Sequence, residues 1–193
     1  GLQCYGDDRY EADDLIGTLA EYWRNRGHPI CIVTADKDLA QLVRETDHWW
    51  DFSRNQKLNA RQLTEKFGVT PEQMADYLAL TGDPVDNSPG VPGIGAKSAA
   101  ALLGHFGDLD SIYARLEEVP HLGIRGAKSI RKKLEDNREA AHLARRLTVI
   151  ETAVESALAV PDLARGEVDT ARLNQLFDEL AFGGMLRQRC LQV

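Results

Sequence analysis

One stretch constrains this chain more than any other: Thr81-Gly82-Asp83-Pro84-Val85-Asp86-Asn87-Ser88-Pro89-Gly90-Val91-Pro92-Gly93-Ile94-Gly95-Ala96-Lys97-Ser98-Ala99. A helix or strand entering it must stop. Asp83 and Asp86 stand three apart across a proline turn. Two Pro-Gly turns follow, and then Gly-Ile-Gly opens a helix. Proline presets φ for a turn, and glycine lets a backbone approach a phosphate closely. A fresh helix N-terminus offers N–H donors to an anion. A generic loop has no reason to order acids, turns and glycines in this way. The stretch also divides the chain at residues 81–87, into parts spanning 1–82 and 83–193.

The first part reads as α/β. In residues 10–26, Leu15, Ile16, Leu19 and Trp23 recur at helical spacing. Gly27-His28-Pro29 ends that helix. Ile30-Cys31-Ile32-Val33 reads as a short buried strand, which puts Cys31 in the core. A polar turn, Thr34-Ala35-Asp36-Lys37-Asp38, leads into a helix expected from Leu39. Residues 48–52 are a second strand, with Trp49 and Trp50 packing on a sheet rather than stacking on bases. Residues 59–67 and 71–80 read as helices, the latter with Thr70 as cap and Pro71 at the first helical position. Helix, strand, turn and helix in this order make an α/β layer. The second part is mostly helical, over residues 96–103, 109–116, 128–134, 138–147 and 170–180.

Two further acidic segments accompany Asp83 and Asp86. Glu11, Asp13 and Asp14 open the first helix, where acids complement the helix dipole. A hard divalent cation also takes a few anionic oxygen ligands. Glu11 and Asp14 are three apart and share a helix face, while Asp13 points elsewhere if the helix has already begun there. Asp36 and Asp38 follow the first strand, at the carboxyl end where open α/β sheets bind ligands. An Asp N-cap for the next helix is the plainer reading of that pair. From the residues alone, both readings stand.

The net charge of −7 argues against a polyanionic partner. Its distribution argues otherwise. Residues 121–146 hold eight Lys and Arg (Arg125, Lys128, Arg131, Lys132, Lys133, Arg138, Arg145 and Arg146) against three acids, a local balance of +5. Gly95-Ala96-Lys97-Ser98 recurs as Gly126-Ala127-Lys128-Ser129, each copy placing amides and a lysine at a helix start. No apolar run is long enough for a membrane span, and no secretory signal opens the sequence. Three scattered cysteines suit a reducing cytoplasm rather than a disulfide framework or a zinc site. The five histidines show no ligand spacing.

Three ordered motifs carry a resemblance: Tyr10-Glu11-Ala12-Asp13-Asp14, the run from Thr34 through Asp36 and Asp38 to Leu42, and the stretch from Leu80 to Ala99. In these the chain resembles the 5′ nuclease family. That family comprises the 5′→3′ exonuclease domain of bacterial DNA polymerase I, its stand-alone bacterial relatives, phage 5′ nucleases and flap endonucleases. The likeness runs from about residue 5 to about residue 150 and is closest to the bacterial branch. It implies an α/β fold with a PIN-like parallel-sheet core, followed by a helical part built on a helix–three-turn–helix element. It implies that Glu11, Asp13, Asp14, Asp36, Asp38, Asp83 and Asp86 are catalytic ligands of two Mg²⁺ or Mn²⁺ ions. Carboxylates at such density repel one another, and bound cations relieve the repulsion.

The resemblance also implies a DNA partner bearing a 5′ end or 5′ flap, and a place at the bacterial nucleoid. Gly90, Val91, Gly93, Ile94, Gly95, Lys97 and Ser98 would hold its phosphates, aided by Lys128, Arg131 and Lys132, with a K⁺ ion at the hairpin. Such contacts set register and read no sequence. By this resemblance the family's first strand, a further acidic ligand and the helical arch would fall upstream of Gly1. The 193 residues alone are therefore expected to be weakly active or inactive, with the missing part of the domain as a partner. A non-catalytic DNA-binding module is the alternative. An RNA-cutting relative fits less well, since the hairpin string is unusual there. Ser88 departs from the family, where an apolar residue is usual, and is expected to loosen the turn before the hairpin.

Overall fold

A computed structural model describes residues 2–84, 88–159 and 163–190. Helix α1 (Ala12–Arg24) leads into strand β1 (Cys31–Val33), a 3-10 turn (Asp38–Leu42), and strands β2 (His48–Asp51) and β3 (Gln56–Leu58). Helices α2 (Ala60–Phe67), α3 (Met74–Thr81), α4 (Ala96–Phe106) and α5 (Leu109–Ala114) follow. After a 3-10 stretch (Leu116–His121) come α6 (Ala127–Asp136), α7 (Arg138–Thr148), α8 (Glu155–Leu158), α9 (Thr170–Glu179) and α10 (Gly184–Cys190). The fold is thus mixed α/β with a small sheet and a helical second part.

The sheet runs β1-β2-β3, the first pair parallel (Ile32 beside Trp49) and the second antiparallel (Trp49 beside Leu58). β1 is not uniformly buried, contrary to expectation. Ile32 packs inward with Leu39, Leu42 and Ile150, while Cys31 is exposed and Val33 is 57% exposed. Packed elements cover one face of this edge strand, so its residues alternate as in any half-covered strand. Cys31 is therefore a surface thiol rather than a core residue. Trp49 is buried as expected; Trp50, on the other face, stacks edge-on with Phe52. β3 escapes sequence reading because Gln-Lys-Leu carries no strand signature.

The helix expected from Leu39 is only a 3-10 turn. Residues 34–47 cross from the end of β1 to the start of a parallel neighbour, and hydrogen bonds to the carboxylates of Asp36 and Asp47 tie down both ends of the connection. Asp47, fully buried, holds that crossover together. Its carboxylate accepts from the Ile30 and Arg44 amides and from Arg24 Nε at 2.8 Å, tying α1 to the sheet.

The main core lies around α3, whose residues from Met74 to Leu80 are all buried. α3 packs on α4 and α7. Leu78, Leu80, Leu102, Leu103, Leu109, Ile112 and Leu134 are almost wholly withdrawn from water. Each such side chain contributes about 1.5–3 kcal/mol by burial. α3 ends at Gly82, with φ +75°, and the chain turns there toward the Gly/Pro-rich stretch.

Candidate active site

A cavity of about 1030 Å³ opens between the two parts of the fold. Glu11, Asp13, Asp14, Asp36, Asp38 and Asp83 face it from one side. Leu143, Arg146, Leu147 and Val149, from the end of α7 and just beyond, line it as well. Asp86 lies outside the described residues. Six of the expected carboxylates, from three separate segments, therefore share one space, which Glu151 and Arg146 also line.

Local structure aims each acid. Glu11 caps α1, and Asp14 in the first turn accepts from the Glu11 amide at 3.2 Å. The other oxygen of Asp14 accepts from the Glu151 amide at 2.9 Å, joining α1 to the segment after α7. Thr34 Oγ1 accepts from the Asp36 amide, and Asp36 Oδ1 from the Asp38 amide, which folds the turn after β1 tightly. Trp49 Nε1 donates to the Asp36 carbonyl at 2.8 Å and fixes that turn to the sheet. The Gln41 side chain bonds Asp38 and Thr148 carbonyls and the Ile150 amide, so it ties the 3-10 turn to the end of α7.

Asp83 enters from the end of α3. Its amide and carbonyl pair with those of Ser88, both at 2.8 Å. This backbone bridge does not depend on the side chain at 88, so the turn is closed with serine in place. The Asp83 side chain is buried, and Lys37 Nζ lies 2.6 Å from its Oδ2. Sequence reading passed over Lys37; its signal was a cation standing between two acids on the turn.

All these donors are hard oxygens, the chemistry of Mg²⁺ or Mn²⁺ rather than of a soft metal. They do not stand as a finished ligand shell. Among the described residues, no three His, Cys, Asp or Glu side chains are gathered closely enough to hold an ion.

The hairpin lies beyond the cavity. Gly90, with φ +61°, packs its α-carbon against the backbone of Thr81 and Gly82. Val91 and Ile94 are buried, and their amides already donate to Leu80 and Val91 carbonyls. Their side chains therefore anchor the turn from below. Gly93, Gly95 and Lys97 are exposed, and Ser98 is half-buried. Gly95 caps α4, whose first amides are of the kind a helix leaves open. Lys133 of α6 donates to the Gly93 carbonyl at 3.2 Å and ties α6 to the hairpin.

Within the basic stretch, Arg131 pairs with Glu117 at 2.6 Å and Lys132 with Asp136 at 3.0 Å. Arg125 and Lys128 are exposed and carry no ion pair among the described residues. No helix among the described residues is long and apolar enough to cross a membrane.

Two family models match the chain in succession: the 5′-3′ exonuclease N-terminal resolvase-like domain over residues 1–68, and the 5′-3′ exonuclease C-terminal SAM fold over residues 69–171. A DNA polymerase I from Pseudomonas aeruginosa is 46% identical over 187 residues, covering 96% of this chain and 20% of that protein. A flap endonuclease Xni from Klebsiella pneumoniae is 42% identical over 152 residues, covering 79% of this chain and 58% of that protein. The chain thus spans a fifth of one relative and just over half of the other. Among solved structures, a bacteriophage T5 flap endonuclease in complex with DNA and metal ions superposes with a TM-score of 0.66. It is 22% identical and covers 80% of this chain and 55% of that one, a likeness of fold.

Proposed function

This chain belongs to the 5′-3′ exonuclease family, and from that premise we propose that it is the acid-lined and DNA-gripping portion of a bacterial 5′ nuclease. In this reading it serves hydrolysis of DNA phosphodiesters at 5′ ends or 5′ flaps, in replication and repair, on the DNA of the bacterial cytoplasm. One observation carries the proposal: Glu11, Asp36 and Asp83, from segments far apart in sequence, face one cavity with Asp13, Asp14 and Asp38. A wall of carboxylates repels a phosphodiester unless cations lie between them.

Glu11, Asp13, Asp14, Asp36, Asp38 and Asp83, with Asp86, would hold divalent cations, Mg²⁺ or Mn²⁺. Such ions, when bound, neutralise phosphate charge and supply a hydroxide at neutral pH. The chain's own contribution is position. The backbone bonds of Asp14, Asp36 and Asp83 hold those residues on their turns. Leu143, Leu147 and Val149 add exposed apolar surface to the lining.

Residues 1–82 supply most of the acids, and residues 83–193 grip the duplex. Gly93, Gly95, Lys97 and Ser98 present the hairpin and the start of α4 to phosphates, with Lys128 and its neighbours extending the grip. A T5 flap endonuclease of like fold was solved with DNA and metal ions, which supports a role of this fold toward both.

The test is a 5′-flap DNA assayed for binding and for Mg²⁺-dependent cleavage. The chain is expected to bind the flap duplex and to cut it weakly. Asp36→Ala and Asp83→Ala should abolish cutting and leave binding in place, while Lys97→Ala should weaken binding. Cutting indifferent to both aspartates would refute the reading.

A further inference from the structure

The carboxylate most deeply placed in the acidic wall already has a cation. Asp83 is 4% exposed, and Lys37 Nζ stands 2.6 Å from its Oδ2. Burying a carboxylate unpaired is costly, and the surrounding chain must supply a counter-charge. Lys37 comes from the turn between Asp36 and Asp38, so the ammonium is delivered by a segment that itself faces the cavity. We infer that Lys37 is a built-in counter-ion of the acidic wall, and that a divalent cation takes Asp83 only by displacing its ammonium.

This inference rests on the metal reading given above. An Mg²⁺ ion sits about 2.0–2.1 Å from a carboxylate oxygen. With the ammonium 2.6 Å from the same carboxylate, the two cations would stand a few ångströms apart and repel. The two cations compete for the charge of one carboxylate, and each weakens the other's hold on it. The Lys37 side chain is 34% exposed, and its flexible four-carbon stem lets the ammonium leave without movement of the turn. The exchange keeps Asp83 neutralised in both states. It also accounts for a discrepancy in the structure: seven acids line one cavity, yet no three are gathered around one point among the described residues. Asp83 is drawn to Lys37, and Asp14 is held by the Glu11 and Glu151 amides.

Competition between two ligands is reciprocal, and ordinary couplings lie at about 5–150-fold. The test is calorimetric titration of the 193-residue chain with Mn²⁺ at fixed pH, paired with thermal unfolding without metal. Lys37→Met should bind Mn²⁺ at least about fivefold more tightly than the wild type and melt at a lower temperature when metal-free. In an Asp83→Asn background the same change should no longer alter Mn²⁺ affinity. Lys37→Arg keeps a cation on Asp83 and should bind Mn²⁺ no better than the wild type; it serves if Lys37→Met does not fold. Equal affinity in wild type and Lys37→Met, or a gain in Lys37→Arg, overturns the inference and leaves the metal reading intact. No Mn²⁺ binding by wild type, Lys37→Met or Lys37→Arg overturns both.

Discussion

Arg145 of α7 closes on Asp76 of α3, with Nε 2.7 Å from Oδ1. The other oxygen of Asp76 accepts from the Leu109 amide at 3.1 Å. Burial pushes the Asp76 carboxyl above the usual range, and the Leu109 N–H and the Arg145 charge pull it back. The pair locks α7, whose end lines the cavity, onto the central helix. Arg145→Ala leaves a buried carboxylate without its cation. Since Arg145 is itself one-third exposed, the expected loss is discounted to about 2 kcal/mol. Asp76→Asn, which keeps an acceptor for Leu109, should cost less. Urea unfolding of both variants measures the difference.

Tyr113 gives the fold an alkaline limit. Burial pushes its phenol up to about 12, against a smaller opposing pull from Arg138, and its hydroxyl donates to the Leu134 carbonyl at 3.1 Å. The unfolded phenol titrates near 10. The folded state therefore holds the proton more tightly, and this contribution is complete below about pH 10. It is lost as pH rises through about 12, a fall on the order of 2 kcal/mol. Tyr113→Phe should be about 1 kcal/mol less stable at neutral pH and lack that fall. Urea midpoints measured from about pH 8 upward distinguish the two proteins.

Two glycines of the hairpin should respond in opposite ways. A methyl at Gly90, at φ +61°, meets the Gly82 amide nitrogen and the Thr81 carbonyl carbon. Gly90→Ala is expected to cost at least about 2 kcal/mol. Gly95 has φ −97° and open space around it. Gly95→Ala should cost no more than about 1 kcal/mol, the loss expected when alanine replaces a better N-cap, yet weaken DNA binding, because the methyl points where a phosphate backbone would approach. Calorimetry and fluorescence anisotropy separate the effects. Unchanged DNA affinity in Gly95→Ala would remove the hairpin from the interface.

The basic stretch is not uniformly available. Lys128 is exposed without an ion pair among the described residues, whereas Arg131 is held by Glu117. Lys128→Ala should flatten the log–log dependence of DNA affinity on salt by about 0.9. Glu117→Ala releases Arg131 and should tighten DNA binding, most at low salt.

The local features were legible because their signals are local. Acids at a helix start, a turn after an apolar run and glycines before a helix can each be read within a few residues, and their order suggested the division of the chain. Partners across the fold were not legible. Nothing near Asp47 announces Arg24, nothing near Asp76 announces Arg145, and nothing near Asp83 announces Lys37. These pairs are made by packing of helices and sheet. The alternation of β1 was missed for the same reason: an apolar tetrapeptide does not say how many of its faces are covered.

The most direct test of the central claim is an anomalous difference map from crystals of this chain soaked in Mn²⁺. The account predicts density in the cavity between Glu11, Asp36 and Asp83, with the Lys37 ammonium withdrawn from Asp83. An ordered cavity without density at saturating Mn²⁺, with Lys37 still on Asp83, would contradict it.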